Sequence, residues 1–204
     1  GRHLLKPRLE ERLHGTILDN VRKIFNEIIV LEEDKNNEEY KAIFLISIMC
    51  ARRLSEILDI TYEDVIDGVV NVRGSTTKTF KNSGENVVER YPLPKEVLKI
   101  IKTGTGKIFK HRNRSCLDKY AEMIDTKCNL ELKEQGKIYK IRGHDNRHFI
   151  MSLCAEEFGS DNVGHLALSH RDKSNMNNVY LTVEYKRVEK LFNYYWDLLR
   201  NKKK

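Results

Sequence analysis

From Ile43 to Cys50 every residue except Ser47 is apolar. A helix that is apolar on every face has to be surrounded by other elements, so this segment predicts a central helix, from about Glu38 to Leu58. The run is far shorter than the roughly 20 apolar residues needed to cross a bilayer, and no longer one exists, so a membrane span is not expected. No signal peptide is visible. Two amphipathic helices supply the surround. One runs from Leu9 to Leu31, with Leu13, Ile17, Val21, Ile24, Phe25, Ile28 and Ile29 on one stripe. The other runs from about Lys186 to Arg200, with Val188, Leu191, Phe192, Tyr195, Leu198 and Leu199 on its apolar side.

Between them the pattern shifts. Val69, Val70 and Val72 follow an Asp67-Gly68 turn, and Val87, Val88 and Tyr91 precede Pro92, which predicts a small antiparallel sheet with a long connection from Gly74 to Asn86. Helices resume near Lys95–Lys102 and Arg114–Asp125; another has the polar run 143–148 on its first turn and is capped by Gly159, and a short one follows from Asn162 to Leu168. The expected fold is mainly α with a small antiparallel β-sheet (α+β). Residues 1–8 read as a linker, 9–185 as the principal domain, and 186–204 as a helix with a basic tail. The stripe of that helix has to be buried against its own domain or on a neighbouring protomer, and removing it is expected to leave a folded core.

With 204 residues, 40% of them hydrophobic, the chain can bury a real core. Its net charge of +7 points to an anionic partner, nucleic acid being the usual one. Lys107, Lys110, His111, Arg112 and Arg114 surround Phe109 and suit a phosphate backbone, or else a solvated charged surface. Cys50, Cys116, Cys128 and Cys154 form no Cys-x-x-Cys pair, which fits a reduced intracellular protein better than a disulfide or zinc framework.

The chemistry gathers in Gly143-His144-Asp145-Asn146-Arg147-His148, which leads into the helically spaced Phe149, Ile150, Met151, Leu153, Cys154 and Ala155. Positions three apart share a helix face, so His144 and Arg147 can address one ligand. The planar fork of arginine and the partial positive charge of a helix N-terminus favour an anion such as a phosphodiester. The plainer alternative is an exposed polar first turn with one core histidine. Elsewhere the chain offers Arg53 and Glu56 after the central helix, Lys78 and Lys81 in the sheet connection, His170, and a late tyrosine, Tyr180. A tyrosine hydroxyl attacks well only when its proton is removed or its anion stabilised. Fixed cations stabilise the charge that develops on a phosphorane-like transition state. A lysine can protonate the leaving oxygen. Every charge is assigned to a side chain, so neither a metal nor another cofactor is expected.

The ordered set Arg53-Leu54-Ser55-Glu56, His144-Asp145-Asn146-Arg147-His148, Leu168-Ser169-His170 and Tyr180 resembles the catalytic domain of the tyrosine recombinase (phage integrase) family. The resemblance covers about Glu38 to Tyr185. It implies that Arg53 and Arg147 clamp the scissile phosphate, with His144 and His170 assisting in proton transfer and phosphate binding. Lys78 would protonate the leaving group, with Lys81 the second choice, and Tyr180 would form a 3′-phosphotyrosyl link. Glu56 would orient Arg53. Arg52, Lys81, Lys107, Lys110, Arg112, Arg114 and Arg171 are expected on the DNA. Ser169 departs from the family's usual glycine. The resemblance further implies double-stranded DNA as partner, a homo-oligomer (tetramer) on that DNA, and an N-terminal DNA-binding domain missing from this chain. The setting would be the cytoplasm of a prokaryotic cell or its mobile element or virus. A type IB topoisomerase uses a similar Arg, Lys and Tyr set, and a DNA-binding module with decayed catalysis is the non-enzyme alternative. A metal-dependent His-Asp phosphohydrolase would give Arg53, Arg147 and Tyr180 no role.

Overall fold

The computed structural model describes residues 9–31, 37–72, 89–110, 132–134, 137–139 and 178–200, together with 124, 150, 151, 153, 155 and 159. These residues are mostly helical, with a small antiparallel sheet. Helix α1 (Leu9–Ile29) buries Val21, Ile24, Phe25 and Ile28, the stripe expected of a helix lying against a core. Helix α2 (Asn37–Cys50) is buried on nearly every side, through Ala42, Ile43, Leu45, Ile46, Ile48 and Met49. Lys41 lies at its start and donates from Nζ to the Ile29 carbonyl at 2.8 Å, capping the end of α1.

The expected continuous helix to Leu58 is interrupted. Ala51 is buried with φ 51°, a left-handed conformation uncommon outside glycine, and it ends α2. Arg53 is extended (φ −68°, ψ 145°) and α3 (Leu54–Leu58) begins directly after it. A single 3-10 turn, Tyr62–Asp64, leads into the sheet.

Strands β1 (Val65–Ile66), β2 (Val69–Val72) and β3 (Glu89–Pro92) form an antiparallel sheet in that order. Asp67 and Gly68 both have positive φ (51° and 75°), the two-residue turn that matches the twist of a hairpin. Val70 opposes Tyr91 and both are buried, while Asn71 opposes Arg90. Pro94 caps the short helix α4 (Lys95–Leu98). A second hairpin, β4 (Leu132–Glu134) with β5 (Lys137–Tyr139), falls where no strands were expected. Ile124, Ile150, Met151, Leu153 and Ala155 are helical, and Ile124, Ile150 and Leu153 reach the core. Gly159 has φ 62°, as a glycine ending a helix would.

The last helix, α5 (Asn178–Leu199), begins well before the expected Lys186 and takes in Tyr180. Val188, Leu191, Phe192, Tyr195, Trp196 and Leu199 are all buried in the core of the same chain. Of the two options for this stripe, the structure takes the internal one. There α5 packs on both α1 and α2.

Candidate functional site

The site grows from the break at Ala51. In extended backbone, successive side chains point to opposite sides, and Arg52 and Arg53 do so: the Arg52 side chain is 1% exposed and that of Arg53 41%. Arg53 Nη1 donates to Glu56 Oε1 at 3.1 Å, from the residue before α3 to its first turn. The other carboxylate oxygen of Glu56 lies 4.0 Å from Arg52 Nη1. The Arg52 guanidinium stacks on the ring of Tyr91, 4.0 Å from its centroid. Burial pushes the Tyr91 hydroxyl well above its ordinary pKa, against the opposing pull of Arg52, so it stays protonated.

Beside this cluster a shallow, open depression is lined by Glu56, Asp59, Ile60, Asp64, Val70, Val72 and Tyr91. The segment that follows α4 closes on its rim. Tyr62 N donates to Gly106 O (2.9 Å) and Ile108 N to Ile60 O (3.1 Å). A Cβ on Gly104 would lie 2.7 Å from the Tyr62 ring, so glycine lets the backbone rest there. Phe109 is buried and anchors the segment, while Lys107 and Lys110 are exposed. Lys107 Nζ pairs with Asp59 at 3.4 Å.

On the far edge of the sheet, the Arg90 guanidinium lies 4.8 Å from the Tyr185 ring centroid, joining β3 to α5. Burial and the neighbouring Glu189 carboxylate push the Tyr185 hydroxyl up to about 12, more than Arg90 pulls it down. Tyr180 stands in the first turn of the same helix.

Of the residues singled out from sequence, Arg53 and Glu56 are in contact, and Lys107 and Lys110 are on the surface. Arg52, expected on the DNA, is instead buried beneath the pair, because the turn at Ala51 points it inward. Lys78, Lys81, Arg112, Arg114, His144, Arg147, His170 and Arg171 lie outside the described residues. Sequence reasoning missed Tyr91 as the platform for Arg52, and the Arg90–Tyr185 contact. For the first, a signal exists in the alternation that sets Tyr91 opposite the buried Val70. Comparison of the chain with protein-family models, with curated proteins and with solved structures found no match.

Proposed function

We propose that this protein cuts and rejoins double-stranded DNA through a 3′-phosphotyrosyl intermediate, as a site-specific recombinase with the catalytic-domain fold of the tyrosine recombinases. The observation that carries the reading is Arg53. It is exposed, and it is held at 3.1 Å by the glutamate of its own Arg-x-Ser-Glu motif. The sequence supplies the rest of the ordered set, His144, Arg147, His170 and Tyr180.

In this mechanism the Tyr180 oxygen attacks the scissile phosphorus and the bond from phosphorus to the deoxyribose 5′-oxygen breaks. Lys78 delivers a proton to that oxygen. Arg53 and Arg147 hold the non-bridging oxygens and stabilise the charge that builds on them, while His144 and His170 bind the phosphate and help to move the tyrosine proton. In rejoining, a 5′-hydroxyl attacks the phosphotyrosine and releases Tyr180. Bond energy is conserved, so no external energy source is required. Pairs of protomers on a two-site DNA complex would give a tetramer, and an N-terminal DNA-binding domain would complete the grip.

A nicked suicide duplex tests the proposal. The short fragment that carries the new 5′-hydroxyl diffuses away after cleavage and leaves the protein covalently bound to the 3′-phosphate of the remaining strand. An adduct that depends on Tyr180 supports the reading, and its absence on any duplex overturns it. Relaxation of supercoiled plasmid without exchange between sites would assign the same chemistry to a topoisomerase.

A further inference from the structure

We infer that Arg52 is a positioning residue for Arg53, acting through the carboxylate of Glu56, with Tyr91 as its platform. The inference rests on the strand-transfer reading of Arg53. A buried guanidinium is costly unless its charge is met. Here it is met on one side by the face of Tyr91 at 4.0 Å and on another by Glu56 Oε2 at 4.0 Å. Arg52 is thereby fixed, and it fixes the carboxylate that lies between the two arginines. The remaining oxygen of Glu56 then holds the exposed Arg53 at 3.1 Å.

Two consequences follow for a phosphate ligand. An exposed arginine otherwise samples many rotamers, and ordering it at the moment of reaction would subtract from the stabilisation it gives. The chain Tyr91–Arg52–Glu56–Arg53 does that ordering beforehand. Charge is the second. Arg53 with Glu56 alone is a neutral pair, whereas Arg52, Arg53 and Glu56 together keep one net positive charge. The neighbouring acids are themselves engaged: Asp59 faces Lys107 at 3.4 Å, and Asp64 Oδ2 accepts from the Thr61 amide at 2.9 Å. The left-handed Ala51 is what sends Arg52 inward and Arg53 outward.

The test compares wild type with Arg52→Lys and Arg52→Met in the full chain. Its readouts are single-turnover cleavage of the nicked duplex at saturating DNA, duplex affinity, and NMR relaxation of the Arg53 side-chain Nε–H. Positioning predicts cleavage slowed on the order of 10-fold to 100-fold, affinity within about twofold because many other cations hold the backbone, and a newly mobile Arg53. Arg52→Lys keeps the charge without the planar fork, so it too should loosen Arg53 and slow cleavage. Should Arg52→Met not fold, Arg52→Lys decides alone. Wild-type cleavage with an ordered Arg53 in the folded variants overturns the inference. So does slowed cleavage with Arg53 still ordered, since the loss then has another origin. If wild type itself forms no adduct, the strand-transfer reading has failed, and the Arg53 relaxation still decides whether Arg52 orders it.

Discussion

The hydroxyl of Tyr195 donates to the backbone carbonyl of Ile48 at 2.7 Å, across 147 positions of sequence. Ile48 lies in the last turn of α2, where carbonyls have no partner within the helix. Trp196 does the same for Met49, donating from Nε1 at 2.8 Å. Two aromatic residues of α5 thus cap the central helix from the side, just before the break that sets Arg52 and Arg53.

Cutting into this contact should therefore cost stability first. Tyr195→Phe leaves a buried carbonyl unmet and should destabilise by about 1–3 kcal/mol. Phe192→Ala opens a cavity in a fully buried position and should cost about 3–5 kcal/mol. Ending the chain after Tyr185 removes Val188, Leu191, Phe192, Tyr195, Trp196 and Leu199 from the core and should leave no cooperative unfolding transition. Urea unfolding followed by circular dichroism measures all three. A truncated chain with a sharp, wild-type-like transition would show that α5 is dispensable to the core.

Arg200, just after α5, grips Glu96 of α4 with both carboxylate oxygens at 2.7 Å. Burial alone would raise the Glu96 pKa, but the hydrogen bonds from Arg200, the backbone hydrogen bond at Glu96 and the charges of Arg200 and Lys95 together outweigh it and hold the carboxyl below its usual value. A carboxylate with a depressed folded pKa contributes stability that is complete above its unfolded value, near 4.3, and is lost as pH falls through the folded value. Glu96→Gln should thus cost about 1–2 kcal/mol at pH 7, and the gap to wild type should close below about pH 4. Unfolding free energies measured from pH 7 to pH 3 check this. A gap that stayed constant across that range would mean the pair is not what stabilises the contact.

How far the sequence discloses this arrangement depends on what each residue signals locally. The all-round apolar stretch of α2 and the Asp67-Gly68 turn are legible, because periodicity and a turn dipeptide are properties of neighbours in sequence. The break at Ala51 is not, since no glycine or proline marks it and an alanine adopts φ 51° only under tertiary constraint. With it goes the choice between Arg52 and Arg53: the motif register selects Arg53, but which side chain faces out depends on the turn. The start of α5 is hidden because Val179, Leu181, Val183 and Tyr185 alternate with a period of two, unlike the helical spacing from Val188 onward, although the helix begins at Asn178. The β4–β5 hairpin escapes because Lys133, Glu134 and Lys137 break the alternation that marks a half-buried strand.

Arg53 offers the most direct mutational test of the chemistry. Arg53→Ala should slow cleavage about 100-fold or more, as the loss of a fixed transition-state donor does. Binding of duplex DNA should change little, because Lys107, Lys110 and many other cations remain. Single-turnover adduct formation and a gel-shift titration separate the two effects. A variant that cleaved at the wild-type rate would place Arg53 outside the reacting phosphate.

The choice of nucleophile can be tested within one helix. Position 180 lies about 7.5 Å along the axis from position 185, at 1.5 Å per residue, so the two tyrosines cannot serve one phosphate from one placement of α5. Tyr185 is ill suited to attack. Its ring lies under the Arg90 guanidinium at 4.8 Å, and burial together with Glu189 pushes its hydroxyl up to about 12, away from the anion that a nucleophile needs. Tyr185→Phe keeps the ring on which Arg90 rests and removes only the hydroxyl, so adduct formation should persist. Tyr180→Phe should abolish the adduct while leaving the buried part of α5, from Val188 onward, in place. Denaturing gels of both variants with the nicked duplex give the answer. An adduct that survived Tyr180→Phe and vanished in Tyr185→Phe would move the nucleophile to Tyr185 and make the Arg90 contact part of its activation.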